Sequence, residues 1–137
     1  MKKLLSRIAL IVALIPVLFS FACAPQKPRV IVKEDTYVVI NVVDEVSEGT
    51  TLYDYMLTLD KTLRFTHSGG MITSINGIEN ASDWSACWMI YTTDEDNSNT
   101  MWGSVEYEGK VYGSASYGAE SLVIKKGESY IWLYQEF

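Results

Sequence analysis

Few side chains in this sequence have the types and spacing that catalysis requires. His67 is the only histidine among 137 residues, and no Gly-x-Ser-x-Gly pattern provides a nucleophile elbow. Cys87 lies in an apolar run without a basic cluster that would lower its thiol pKa, which favours a small buried hydrophobic residue. Serine-triad chemistry and multi-histidine metal sites are therefore excluded, and we expect a protein that is not an enzyme.

One acidic run invites comparison with a calcium loop, whose ligands sit at alternate positions. Counting from Asp94, however, Asn99 replaces the glycine that the loop needs at its sixth position. The closing glutamate would fall at Val105, which cannot coordinate a cation. We therefore interpret residues 94–100 as a solvated loop and expect neither a metal site nor a required cofactor.

The N-terminal segment indicates export. Lys2 and Lys3 precede an apolar stretch over residues 4–21, and small residues then lead to Cys23. This pattern resembles a bacterial lipoprotein box, which predicts a signal peptide over 1–22, lipid modification of Cys23 and a tether over 23–35. The protein would then lie on the outer face of the bacterial cell membrane. Secretory cleavage before an unmodified Cys23, or an uncleaved anchor, are the alternatives.

The charge balance limits the partners. Without the three basic residues of the predicted signal peptide, eight basic and 17 acidic residues remain, a net charge of about -9. Nucleic acid and anionic lipid both require a positive patch, so neither is expected to bind the exported domain. Membrane association would depend on the lipid anchor.

Hydrophobic patterning predicts one early strand, one helix and a β-rich remainder. Residues 36–43 are rich in β-branched side chains, and residues 51–61 show the i, i+3, i+4, i+7 spacing of one helical face. Short strands separated by glycine turns follow, including a hairpin over 101–115. We expect an α+β fold in which one helix packs on a mostly antiparallel sheet with an extra β-hairpin.

Such a fold leaves one face of the sheet to be explained. In the last strand Ile131 and Leu133 would point to one face, whereas Trp132 and its tyrosine neighbours would point to the other. Loops or a second small sheet would cover the face without the helix. Alternatively, part of that face is an exposed aromatic shelf that binds a ligand or a partner.

Several segments, taken in order, resemble a known family. They are Gly49-Thr50-Thr51-Leu52, the run from Ile72 to Ile78, Trp84, Trp88-Met89-Ile90-Tyr91, Tyr117-Gly118-Ala119 and Lys126-Gly127-Glu128. Over residues 36–137 the chain is similar to the transcobalamin-like C-terminal domain of bacterial surface proteins, itself similar to the β-domain of transcobalamin and intrinsic factor. The resemblance implies a β-grasp-like ligand-binding domain.

The resemblance also implies a ligand and the residues that contact it. In the vitamin carriers this domain covers one face of cobalamin, and Trp88 matches a tryptophan that touches the corrin ring. Ile90 and Tyr91 follow on the same segment, and Trp84 and Tyr117 complete the expected ligand-binding set. A core position for Trp88 is the competing interpretation. The helical barrel of the carriers has no counterpart here, and residues 94–115 are longer than the family's usual turn.

These expectations combine into one functional hypothesis. The protein would be a non-enzymatic surface lipoprotein that binds a small ligand. The first candidate for that ligand is cobalamin or another corrinoid. One role open to such a protein is passing its ligand to a vitamin transporter. The alternative is a protein-interaction or structural module of the cell envelope with no small ligand.

Overall fold

The computed structural model describes residues 25–59 and 61–137, so the predicted signal peptide and Cys23 lie outside the described residues. Strands hold 48% of the described residues and helix only 8%. No helix within the described ranges is long and apolar enough to span a bilayer. The elements are β1 (Val30–Glu34), β2 (Tyr37–Asn41), α1 (Leu52–Leu57), β3 (Phe65–Ser68), β4 (Met71–Ile75), β5 (Ile78–Glu79), β6 (Ala86–Thr92), a 3-10 turn (Glu95–Asn97), β7 (Ser98–Tyr107), β8 (Lys110–Ala115) and β9 (Ser129–Glu136).

Two antiparallel sheets form the fold. The larger sheet has the strand order β1-β2-β9-β6-β8-β7, and the smaller one has the order β3-β4-β5. The last strand therefore lies at the centre of the large sheet, between β2 and β6. Its register is continuous with both neighbours, since Trp132 pairs with Val38 on one side and with Ile90 on the other.

The predicted α+β, β-grasp-like class is wrong, because the molecule is a β-rich fold with two sheets and a lone short helix in the described residues. The predicted helix over 51–61 shortens to Leu52–Leu57. At its end the Thr58 hydroxyl donates to the Tyr55 carbonyl at 2.7 Å, a local bond that competes with helix continuation. Six residues make fewer than two turns, too few to cover a six-stranded sheet.

Two short-range features of the sequence give the expected local structure, namely the helix cap at Thr51 and the turn at Asn76-Gly77. Thr51 caps α1, and the Asp54 carboxylate accepts from the Thr51 backbone N–H at 3.1 Å, which completes a capping box. Asn76 and Gly77 both take positive φ, 48° and 87°, as the tight turn between β4 and β5 requires. These elements depend on neighbours a few residues away.

The segment predicted as the end of a tether forms β1 instead. Ile31 pairs with Val39 and Val30 pairs with Ile40, so the folded domain begins at Val30 rather than at residue 36. The Asn41 side chain donates to the Pro28 carbonyl at 2.9 Å, which fixes the chain just before this strand. Residues 30–34 therefore belong to the packed structure.

One face of the large sheet packs against α1 and the small sheet. The main core between them contains residues of both sheets, of α1 and of the segment 119–124. Its fully buried members include Val38, Ile40, Leu52, Met56, Leu63, Ile75, Leu122 and Tyr130. The small sheet thus lies on the same face as α1, whereas loops or a second small sheet were expected to cover the face without the helix.

The opposite face is enclosed because the large sheet curls. The Lys33 ammonium of β1 lies 4.4 Å from the ring centroid of Tyr107 in β7, at the other edge of the sheet. Tyr37 and Tyr107 have ring centroids 6.1 Å apart, and Lys27 pairs with Glu108 at 3.6 Å. The curl buries a second apolar cluster of Val39, Tyr91, Tyr107, Tyr112 and Ile131. This face therefore offers no open aromatic shelf at those residues.

Candidate functional site

A cavity of about 340 Å³ opens between the large sheet and the tip of the β3–β4 hairpin, and we call it the sheet cavity. Its walls come from β4, β6, β9, the end of β8, the β3–β4 turn and the loop after β8. The lining residues are Gly69, Gly70, Met71, Ile72, Trp88, Met89, Ile90, Ser114, Ala115, Ser116, Tyr117, Gly118, Ala119 and Trp132. Its volume falls within the range of small-molecule sites.

The cavity exists because two strands of the large sheet separate. Strand β6 pairs with β9 along its whole length but with β8 only at Tyr91 and Thr92. After Ala115 the chain leaves the sheet and runs through residues 116–119. Space therefore remains between this loop and the first half of β6.

The wall formed by the large sheet is aromatic and well fixed. Trp88 and Ile90 alternate along β6, so both point to the same face as Trp132 of β9. Trp88 is only 6% exposed, its indole N–H donates to the Ile78 carbonyl at 2.9 Å, and its ring packs edge-on against Tyr134. The indole N–H of the buried Trp132 has no hydrogen-bond partner within the described residues.

The rim of the sheet cavity is built from two loops that approach closely. A side chain at Gly118 would begin 3.8 Å from the Gly70 carbonyl oxygen, and one at Gly70 would begin 3.1 Å from the Glu120 carboxylate. Gly70 also has a φ of 83°, which favours glycine. Tyr117 stands on this rim with 56% of its surface exposed, so its ring is free to stack on an occupant.

A polar chain beside the rim holds these loops together. The Tyr53 hydroxyl lies 2.6 Å from His67 Nε2, and His67 Nδ1 lies 3.3 Å from Glu120 Oε1. The arrangement suits an imidazole protonated on Nδ1 that accepts from Tyr53 through Nε2. It connects α1, β3 and the loop after β8. No local pattern in the sequence indicates these partners of His67, because Tyr53 and Glu120 lie 14 and 53 positions away.

The sheet cavity brings together three of the five residues in the predicted ligand-binding set, namely Trp88, Ile90 and Tyr117. Tyr91 lies on the other face of β6, in the cluster enclosed by the curl of the sheet. Its hydroxyl donates to the Gln135 side chain, and burial raises its pKa. Trp84 lines a separate hollow of about 310 Å³.

The interpretation of residues 94–100 as a solvated loop is wrong at Asp94, which is buried and forms an ion pair with Lys125. Asp94 is 2% exposed, and the Lys125 ammonium lies 2.9 Å from its carboxylate. Burial alone would raise the pKa of Asp94, but hydrogen bonds from Asn97 and Lys125 hold it below its usual range. Hydrogen bonds to Asp96 and Asp94 in turn raise the pKa of Lys125. Within the described ranges, no group of three or more histidine, cysteine or acidic side chains is placed to hold a metal ion.

Cys87 is a half-buried free thiol on the face of β6 opposite Trp88. Burial raises its pKa, which lowers the fraction of reactive thiolate at neutral pH. Its Sγ lies 3.8 Å from the Met89 sulfur. The thiol therefore packs with neighbouring side chains away from the wall that Trp88 forms, although it is only half-buried where the sequence favoured a buried residue.

Sequence reasoning did not anticipate an exposed bulge in β7. Asn99 pairs with Ser114 and Ser104 pairs with Gly113, so residues 100–103 loop out of the sheet. Met101 and Trp102 on this bulge are 90% and 67% exposed. The available signal in the sequence was a glycine, Gly103, directly after the large apolar residues Met101 and Trp102. Its φ of 132° is one that glycine adopts readily.

No protein-family model, no curated protein and no solved structure matches this chain.

Proposed function

We propose that this protein is a non-enzymatic binding module whose sheet cavity takes a flat, partly apolar small ligand. The observation that supports the proposal is the position of Trp88, Ile90 and Trp132 along one wall, opposite the exposed ring of Tyr117. Flat apolar walls favour a planar ligand, and the backbone groups of the glycine-rich rim are suited to contacts with its polar edge.

A corrinoid such as cobalamin is the first candidate ligand. The resemblance to the transcobalamin-like family supports this choice, as does the aromatic character of the cavity wall. A cavity of about 340 Å³ would accept an edge of the corrin, while the rest of the ring would lie over Tyr117 on the rim. The protein would then hold one side of the ligand and leave the other side for a vitamin transporter.

Export and lipid modification of Cys23 are part of the same proposal. A lipid anchor would keep the binding module at the outer face of the membrane, where a transporter would receive the ligand. Metabolic labelling with a radioactive fatty acid tests this: we expect label in the wild-type protein and none in Cys23→Ser. Equal label in the two proteins would contradict lipid modification at Cys23.

The binding proposal makes a quantitative prediction for Tyr117. Isothermal titration of residues 24–137 with cyanocobalamin is expected to give saturable heat, and Tyr117→Ala should weaken the affinity about tenfold, or about 1.4 kcal/mol. Because Tyr117 is exposed, the variant should fold as the wild-type protein does. Tyr117→Phe keeps the ring and should retain the affinity.

Trp102→Ala is the matched control, because it removes an exposed aromatic ring that is not among the residues lining the cavity. No heat at high micromolar cyanocobalamin would make the corrinoid assignment wrong. A planar fluorescent dye, anilinonaphthalene sulfonate, then tests the cavity itself. If its fluorescence also shows no dependence on Tyr117, the sheet cavity is not the binding site.

A further inference from the structure

We propose a second binding site in this protein, a hollow beside Trp84 that takes one ring of a neutral carbohydrate. The hollow has a volume of about 310 Å³, close to the lower end for small-molecule sites and suited to a single sugar ring. It shares no lining residue with the sheet cavity. The inference therefore goes beyond the proposed function and does not depend on it.

Trp84 has a backbone conformation that is unusual for a bulky residue. Its φ is 62°, in the left-handed region that glycine and asparagine favour and a bulky side chain rarely adopts. The turn is held in place because the Trp84 N–H donates to the Ala81 carbonyl at 3.0 Å and Ser85 donates to the Asp83 carboxylate. Stability alone would favour glycine at this position, so a tryptophan there indicates a use for the side chain.

The indole of Trp84 is exposed to solvent. The Trp84 side chain is 55% exposed although indole gains free energy from burial, and the fixed turn keeps it at the edge of the hollow. An indole face presented to solvent is a flat apolar surface. The axial C–H groups of a pyranose form a surface of the same kind, and the two stack without the desolvation of any charge.

The rest of the hollow is lined mostly by polar side chains. Thr66, Thr73, Glu79 and Ser82 line it with hydroxyl and carboxylate groups. The Glu79 carboxylate and the Ser82 hydroxyl are of the types that bind sugar hydroxyls, and both residues line the hollow. The Asn80 amide is already engaged, since it bonds Ile72 and Trp88 at 2.9 Å, and it holds the floor rigid.

Charge selects among ligands that have both an apolar face and a polar rim. Glu79 is the only charged residue among those that line the hollow, and the domain as a whole is acidic. A phosphate or carboxylate ligand would be repelled. Neutral sugar hydroxyls can donate to the carboxylate, which makes a neutral saccharide the ligand class that fits.

The experiment is a tryptophan-fluorescence titration of the full-length protein, kept in a detergent without a sugar headgroup. The probes are N-acetylglucosamine, maltose and cellobiose, each taken to 50 mM. We expect saturable binding of at least one probe in the millimolar range. Trp84→Gly should weaken it at least tenfold while the domain stays folded, because glycine relieves the backbone. Glu79→Gln should weaken it about threefold.

Trp102→Ala is again the control, since it removes another exposed indole outside the hollow, and binding should persist in it. Because Trp84→Gly also removes the reporter, its titration is repeated by ligand-observed NMR. No saturation with any probe, or equal loss in Trp102→Ala, would overturn the proposal. Binding of cyanocobalamin should be unchanged in Trp84→Gly, so the two sites succeed or fail separately.

Discussion

Trp88→Ala is expected to lower the free energy of unfolding by about 3–5 kcal/mol, as measured by urea denaturation, because it removes a large buried ring from the main core. The substitution leaves a cavity beside Tyr134 and deprives the Ile78 carbonyl of its indole donor. Trp88 therefore serves the core first, and the edge of its ring forms the wall of the sheet cavity. The core interpretation and the ligand-wall interpretation apply to the same side chain.

Two further variants separate these contributions. Trp88→Phe keeps an aromatic ring and loses the N–H donor, so we expect a smaller loss of about 1–2 kcal/mol. Trp102→Ala removes an exposed ring and should change stability by no more than about 0.5 kcal/mol. A loss below about 1 kcal/mol for Trp88→Ala would show that the indole is not part of the packed core.

Asp94→Asn is expected to cost about 2–3 kcal/mol at pH 7, because it removes a buried charge that accepts hydrogen bonds from Lys125, Asn97 and the Asp96 backbone. An amide of the same shape keeps one oxygen acceptor but has no charge to attract the ammonium. Glu95→Gln is the control, since Glu95 is exposed on the same 3-10 turn and should have an effect within about 0.5 kcal/mol.

The charge on Asp94 also predicts that the stability difference between wild type and Asp94→Asn depends on pH. The pKa of Asp94 is lowered in the folded state, so the folded protein binds this proton less readily than the unfolded chain does. The stabilisation is therefore complete above the unfolded pKa of about 3.9 and is lost as the pH falls through the lower folded pKa. The stability difference between wild type and Asp94→Asn should narrow below about pH 4. A difference that stays constant down to pH 2 would contradict the charge-based explanation.

Features that depend on neighbours in sequence were predictable, and features that depend on distant contacts were not. The Thr51–Asp54 capping box and the Asn76-Gly77 turn follow from backbone chemistry within four residues. The curl of the large sheet brings Lys33 into contact with Tyr107, 74 positions away. No local pattern records that contact, which is why the sequence left the second face of the sheet unresolved.

In the candidate site, too, local features were predictable from the sequence and features that depend on distant contacts were not. Alternation along β6 places Trp88 and Ile90 on one face and Tyr91 on the other, yet the resemblance put all three in one ligand-binding set. Tyr117 reaches the same cavity only because the chain leaves the sheet after Ala115. The Tyr53–His67–Glu120 chain needs three separate elements to converge, so neither residue types nor spacing could reveal it.

The position of β1 has a mechanical consequence. If Cys23 is anchored, a pull on the anchor is applied to this edge strand, whose Lys33 contacts Tyr107 at the far edge of the sheet, and to the preceding Lys27, which pairs with Glu108. Peeling β1 away would release these contacts and uncurl the sheet, wetting the tyrosine-rich interior. The stability of the curled sheet against such a pull would then depend on the pairing of β1 with β2, which a protein shortened to residue 36 would lack.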